Sequence, residues 1–442
     1  MVTIKADHLT IEKTHTTMKK IIIIPLILLI VQGSQAQVND ELKTWIQQSF
    51  GYFPKLKELD KSGELNQICI DVAQSNYLPN INGTASYSYI NPVSQKNFGA
   101  PGAEQLLTFQ PHNNYNFNVG LTQVLWDFGK TQAQIDKAKT ELLITKQNTE
   151  VAKLQLATQV TSIYYSMIYL QKSIQLQDSV IGFYTENKSV IEGKIKQGDA
   201  LQIDLSNMET SISQEKNRKL ELQRQFERQV ALLTYTTGLN TPPSSSDFNF
   251  IDAATSGSTD KNPELVLASQ KIESARFDQK AAFSNRLPTL NLQAGAGYKN
   301  GYQPDMDKIR FNYLAGVSLS IPIFQGRRIQ QNISLTRKSV ELTELSKVNV
   351  ATTLQKDLES VMADLVAYHA QIENSQAQID AAKEALRITQ VRYNRGVSTY
   401  LDLIFASTNY QRGVLNQWQY EYQECLAKAE LAKLEGRKFW EE

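Results

Sequence analysis

The chain has 442 residues, 41% of them hydrophobic and 21% charged, with 46 Lys and Arg against 45 Asp and Glu. That balance excludes a polyampholyte tail, a collagen-like chain, a helical polytopic membrane protein and, at a formal charge of +1, a strongly basic nucleic-acid binder. Two cysteines and four histidines are too few for a disulfide scaffold or a Cys- or His-based metal site.

Residues 1–36 read as an N-terminal extension and export signal. Met18-Lys19-Lys20 is a basic start, Ile21 to Val31 an apolar run, and Ser34-Gln35-Ala36 a small-x-small cleavage site. The run is too short to span a bilayer, which takes about 20 residues.

Residues 37–238 form a first unit. A helix leads to strands expected at 82–91 and 114–125. A long helix follows over 127–196, then a turn near Gly198 and a return helix over 199–238. Residues 239–262 are a linker, opened by Thr241-Pro242-Pro243-Ser244. Residues 263–442 repeat the plan: a helix, strands at 289–299 and 311–322, a long helix over 326–394, a turn near Gly396 and a return helix over 399–436. Leu78-Pro79-Asn80 recurs as Leu287-Pro288-Thr289, and both turns place Asp six residues after Gly, at Asp204 and Asp402. Ordered matches of this kind point to duplication.

The strands alternate. In Tyr115-Asn116-Phe117-Asn118-Val119-Gly120-Leu121-Thr122 every odd residue is apolar. Leu290 to Tyr298 repeats the pattern, and so does Phe311 to Ile321 with one lapse at Leu314. Period two gives one apolar and one uncharged polar face, at a length that crosses a bilayer with tilt. No Gly or Pro interrupts 131–181 or 327–395. The second run carries a coiled-coil seam: Leu358, Val361, Leu365, Tyr368, Ile372, Ser375, Ile379, Ala382, Leu386, Thr389 and Tyr393.

Four strands cannot close a barrel, and lipid forbids open strand edges. Strands in a membrane therefore require several copies: two would give a filled barrel of eight strands, three a barrel of twelve that leaves a channel. A soluble amphipathic sheet and a non-conducting coiled-coil envelope protein remain alternatives at this level. Gly-x-Ser-x-Gly, His-Glu-x-x-His and phosphate-binding Gly loops are missing, so an enzyme is not expected, nor a cofactor.

With its paired Leu-Pro strand entries, its Phe-Gly turns and the run Arg392-Tyr393-Asn394-Arg395-Gly396-Val397-Ser398-Thr399-Tyr400-Leu401-Asp402-Leu403, the chain resembles the TolC-like outer-membrane efflux proteins. The resemblance implies a mainly α chain with a transmembrane β part. Three chains would share a twelve-stranded β-barrel and a long antiparallel coiled-coil helical barrel reaching into the periplasm of a Gram-negative bacterium. It implies a passive exit duct for small toxic compounds in a tripartite efflux system, or for proteins in a type I secretion system. The implied partners are two further copies of the chain, a periplasmic adaptor, an inner-membrane transporter and outer-membrane lipid. On the same resemblance Gly198 and Gly396 match the periplasmic tip turns, Asp204 and Tyr393 match a latch between tip hairpins, and Asp402 matches an acidic pore-lining position. A latch arginine falls on Ser398 and a second acidic position on Phe405, so an entrance closed by apolar contact is expected. From the residues alone, Thr399-x-x-Asp402 is also a helix capping box.

Overall fold

The computed structural model describes residues 33–99, 102, 105–250 and 257–441. The expected signal lies outside them, apart from Gly33 to Ala36 in the first helix. The elements run α1 (Gly33–Tyr52), α2 (Pro54–Ser75), β1 (Asn80–Tyr89), β2 (Gln95–Phe98), β3 (Gln105–Thr108), β4 (Asn113–Trp126), α3 (Lys130–Gln197), α4 (Gln202–Thr237), α5 (Pro263–Ser284), β5 (Thr289–Lys299), β6 (Arg310–Ser320), α6 (Arg328–Asn394) and α7 (Tyr400–Leu434).

Differences from the expected bounds sit at the element ends, where capping decides. Asp127 ends β4 and caps α3: its carboxylate accepts from the Gly129 N–H at 3.1 Å and the Thr131 N–H at 2.8 Å. The helix therefore starts at Lys130 rather than 127. The loop between β1 and β4 holds the β2–β3 hairpin, an element the strand pattern did not announce.

One four-stranded antiparallel sheet has the order β1-β4-β5-β6. The central pairing, β4 with β5, joins the two halves of the sequence, with Phe117 opposite Tyr298 and Val119 opposite Ala296. Helices continue the same order beneath it. Next to the sheet the neighbours are α2, α3, α5 and α6; farther away they are α4, α3, α7 and α6. The chain is thus one layer, four elements wide. At 1.5 Å per residue α3 and α6, with 68 and 67 residues, are each about 100 Å long.

The seam predicted for α6 is its buried and half-buried stripe, with Leu358, Ser375, Ile379 and Tyr393 fully buried. α3 is buried far more extensively, because helices flank it on both sides. The main core lies at its middle. There Tyr164, Tyr165 and Met167 meet Trp45 and Ile46 of α1, Leu233 of α4, Phe250, Cys425 and the terminal Phe439 and Trp440. Cys69 is exposed on α2, so the two cysteines do not pair.

Hydrogen bonds tie the three lower helices where apolar packing thins. Gln177 on α3, 1% exposed, accepts from Nε2 of Gln411 on α7 at 3.0 Å and donates to the Glu215 carbonyl on α4 at 3.1 Å. Gln411→Leu orphans the Gln177 oxygen. Leaving a buried acceptor unpaired costs about 1–3 kcal/mol, which a denaturant titration will register as a lower midpoint at unchanged slope.

Candidate functional site

Two regions hold the residues that the sequence singled out: the sheet at one end and the paired helix turns at the other. In the sheet, register places the apolar side chains of all four strands, Val124 and Leu314 excepted, on one face. One row runs Ala85, Phe117, Tyr298, Phe311; the next runs Gly83, Val119, Ala296, Tyr313. Phe117, Val119, Tyr298, Phe311 and Tyr313 are all exposed. Aromatic rings gather at the outer end, with Tyr87 and Tyr115 centred 5.2 Å apart and Tyr298 and Phe311 5.5 Å apart. Opposite lies the polar face, where Thr84, Asn118, Gly297 and Asn312 form one row. A bulge between Val124 and Trp126 shifts the register and turns Trp126 onto the apolar face beside Leu290.

β1 and β6 end the sheet with unpaired edges. Among the described residues no helix is long and apolar enough to cross a membrane, and no cluster of His, Cys, Asp or Glu is built to hold a metal ion.

At the other end the two turns have the same construction. Gly198 follows α3 with φ 84° and Gly396 follows α6 with φ 74°, a region where a Cβ is strained. The Gly198 N–H bonds the Ile195 carbonyl and the Asp199 N–H that of Lys194; the Gly396 N–H bonds the Tyr393 carbonyl and the Val397 N–H that of Arg392. Both are Schellman closures, which satisfy the last carbonyls of a helix and reverse the chain.

Each return helix then starts on an aspartate. The Asp204 carboxylate accepts from the Leu201 N–H at 3.1 Å. That of Asp402 accepts from the Thr399 N–H at 2.9 Å and hydroxyl at 2.8 Å, while the Thr399 hydroxyl accepts from the Asp402 N–H at 3.2 Å. These bonds, then the nearby Arg392, hold the Asp402 carboxyl below the usual carboxylate range. A carboxyl acidified by folding stabilises the turn above its unfolded pKa and releases it as pH falls through the lower folded value. The thermal midpoint will therefore drop as pH falls below the ordinary carboxylate range, and Asp402→Asn will flatten that part of the profile.

Of the two latch candidates, Tyr393 belongs to the apolar cluster at the turns and Asp204 acts on it through its charge. Tyr393 is buried with Tyr184, Ile191, Met208, Tyr400 and Leu403. Burial, then the charge of Asp204, raise its phenol pKa. The bonds that cross between the hairpins run through residues without a sequence signal. Lys194 Nζ donates to the Tyr393 carbonyl at 2.7 Å and lies 4.1 Å from the centre of its ring. Gln390 Nε2 donates to Asn187 Oδ1 at 3.1 Å. Phe405, Leu401 and Val397 project exposed from the second hairpin, and Leu201 and Ile203 from the first.

The profile of the outer membrane efflux protein family matches residues 45–239 and 256–437. A curated relative, the solvent efflux pump outer membrane protein SrpC of Pseudomonas putida, is 21% identical over 275 residues, 58% of this chain and 56% of that protein. An uncharacterised Haemophilus influenzae protein is 23% identical over 62% of each chain. These curated relatives are thus matched over less than two thirds of their length. Among solved structures, the outer membrane protein VceC of Vibrio cholerae superposes with a TM-score of 0.75 at 16% identity, covering 92% of this chain and 98% of that one. The open-state MtrE outer membrane channel of Neisseria gonorrhoeae gives 0.74 at 17%, covering 90% of each. The amphipathic sheet, the 100 Å helices and the paired turns, matched by one profile along both halves, make this chain a member of the outer membrane efflux protein family.

Proposed function

We propose that three copies of this chain form an outer-membrane exit duct that passes small toxic compounds from a periplasmic adaptor and inner-membrane pump to the exterior. The observation that carries the reading is the pair of unlike free edges, β1 with α2 and α4 on one side, β6 with α6 on the other. An unpaired edge in lipid costs several kcal/mol per group. Unlike edges that pair head to tail close a ring. β1 and β6 run in opposite directions in this sheet, so β6 of one copy meets β1 of the next antiparallel, and three copies give about twelve strands, wide enough for a channel.

The free edge of α6 exposes Leu342, Leu345 and Val366, and that of α2 exposes Leu65, Ile68 and Val72. Neighbouring copies bury these side chains against one another. The polar sheet face then lines a wet lumen. At the periplasmic end Leu201, Ile203 and Val397 offer an apolar docking surface to the adaptor.

Small-molecule cargo agrees with the solvent efflux relative. A second relative, an alkaline protease secretion protein of Pseudomonas aeruginosa, 25% identical over 150 residues, favours protein export on the same scaffold. Two measurements on the full-length protein test the reading. Mass measurement in detergent must return three copies, and planar bilayers must show steady conductance. A single-copy species, or a trimer without conductance, ends it. Crosslinked pull-down from envelopes then separates the cargo classes by the transporter that co-purifies.

A further inference from the structure

We propose that the periplasmic rim of the sheet carries a binding site for an anionic phospholipid headgroup, built from Lys280, Phe283 and Arg286 beside Trp126 and Phe128. The inference rests on the membrane placement argued above.

Lys280 and Phe283 are both exposed on α5, and with Arg276 they stand at i, i+4 and i+7, so they share one stripe. Arg286 follows just past the helix end, 5.5 Å from the Phe283 ring centre. The stripe faces away from the lumen. A cavity of about 870 Å³ at the base of the polar sheet face is lined by Thr289, Ser320, Arg328, Asn332 and Leu335. Arg276 reaches the other way, pairing at 2.8 Å with Glu344, which stands about 160° round α6 from Arg328.

The apolar band ends at the same level. Trp126 is 61% exposed on the lipid face, and its ring meets that of Phe128 at 6.0 Å. Phe128 is in turn tied to α5 through its carbonyl, which accepts from the Ser284 hydroxyl. Aromatic rings at this depth mark the headgroup level. Among the described residues no carboxylate pairs with Lys280 or Arg286. Two cations without carboxylate partners, directly below an aromatic girdle, complement a phosphate diester with an anionic headgroup. The acyl chains of that lipid run up past Trp126 along the apolar face.

The test compares the full-length protein in nanodiscs of phosphatidylcholine with and without phosphatidylglycerol, with bound lipid counted after detergent extraction. Phosphatidylglycerol is expected to be enriched on the order of tenfold over its share of the bilayer. The enrichment should fall steeply in 0.5 M salt. Lys280→Gln with Arg286→Gln should abolish it while leaving trimer mass and conductance unchanged. Equal retention of the two lipids, or undiminished enrichment in the double variant, overturns the site but leaves the duct intact. Inorganic phosphate that displaces the retained lipid at millimolar concentration would show a free-anion site and overturn the lipid assignment. A protein that fails to enter nanodiscs at all removes both this site and the duct.

Discussion

Gly297→Ala will abolish the heat-stable assembly, although it adds a single methyl group. Gly297 lies on β5 opposite Asn118 of β4. A Cβ built there would stand 2.0 Å from the Phe117 carbonyl oxygen and 2.8 Å from the Asn118 Cα. Both obstacles are backbone, so no rotamer change relieves them. The two strands must separate or slip, and a slip by one residue turns every apolar side chain to the lumen. β4–β5 is the pairing that joins the two halves of the sheet, so in the proposed trimer its loss opens the barrel at three places. Steric insertions of this kind cost roughly 3 kcal/mol or more, and exposed strand edges in lipid add to that. Gly316→Ala is the control, because a Cβ there meets nothing within 4 Å. Heat-modifiable migration on gels, with and without boiling, reads both variants. A Gly297→Ala protein that still migrates as a trimer would refute the close approach of β4 and β5.

The second large effect is expected at Lys194. Its ammonium joins the first tip hairpin to the Tyr393 carbonyl and ring of the second. A hydrogen bond from a charged donor is worth about 1.5–3 kcal/mol, and the ring contact adds roughly 0.5–1 kcal/mol. If opening separates the hairpins, Lys194→Met shifts the closed–open equilibrium by at least about tenfold per chain. Lys194→Arg, which keeps the charge and the donors, should restore most of the closure. Single-channel records in planar bilayers will show a higher open probability for the Met variant and near-normal gating for Arg. Tyr393→Phe keeps both the carbonyl and the ring face, so it should act weakly on its own. Unchanged gating in Lys194→Met would return the latch to Asp204 and Tyr393. The Asp402 carboxylate stays ionised within its own turn, and repulsion between such charges across water in the proposed trimer is too weak to gate by itself. The exposed ring of Phe405 instead suits an entrance closed by apolar contact and dewetting.

Much of this architecture is written locally. Alternation in Tyr115 to Thr122 is enough to define two unlike strand faces. The seam from Leu358 to Tyr393 is enough to define the buried stripe of a long helix. Gly198 and Gly396 announce the reversals, since few other residues tolerate their backbone angles. In each case a single element carries its own signal, as a period or as a forbidden conformation, whatever it later packs against.

Partnership is another matter. Nothing in the residues of β4 says that it pairs with β5, that Gly297 passes hard against Phe117, or that a bulge carries Trp126 to the apolar face. Lys194 carries no motif, and only the approach of a second hairpin nearly two hundred residues away makes it a clasp. Thr399-x-x-Asp402 was readable as a cap, and the folded turn realises it in the bonds between Asp402 and Thr399. Local period and backbone restriction therefore determined the elements and their faces by sequence alone. Neighbours, register and the crossing contacts were decided by tertiary structure, because those energies belong to pairs of surfaces that the chain brings together only when folded.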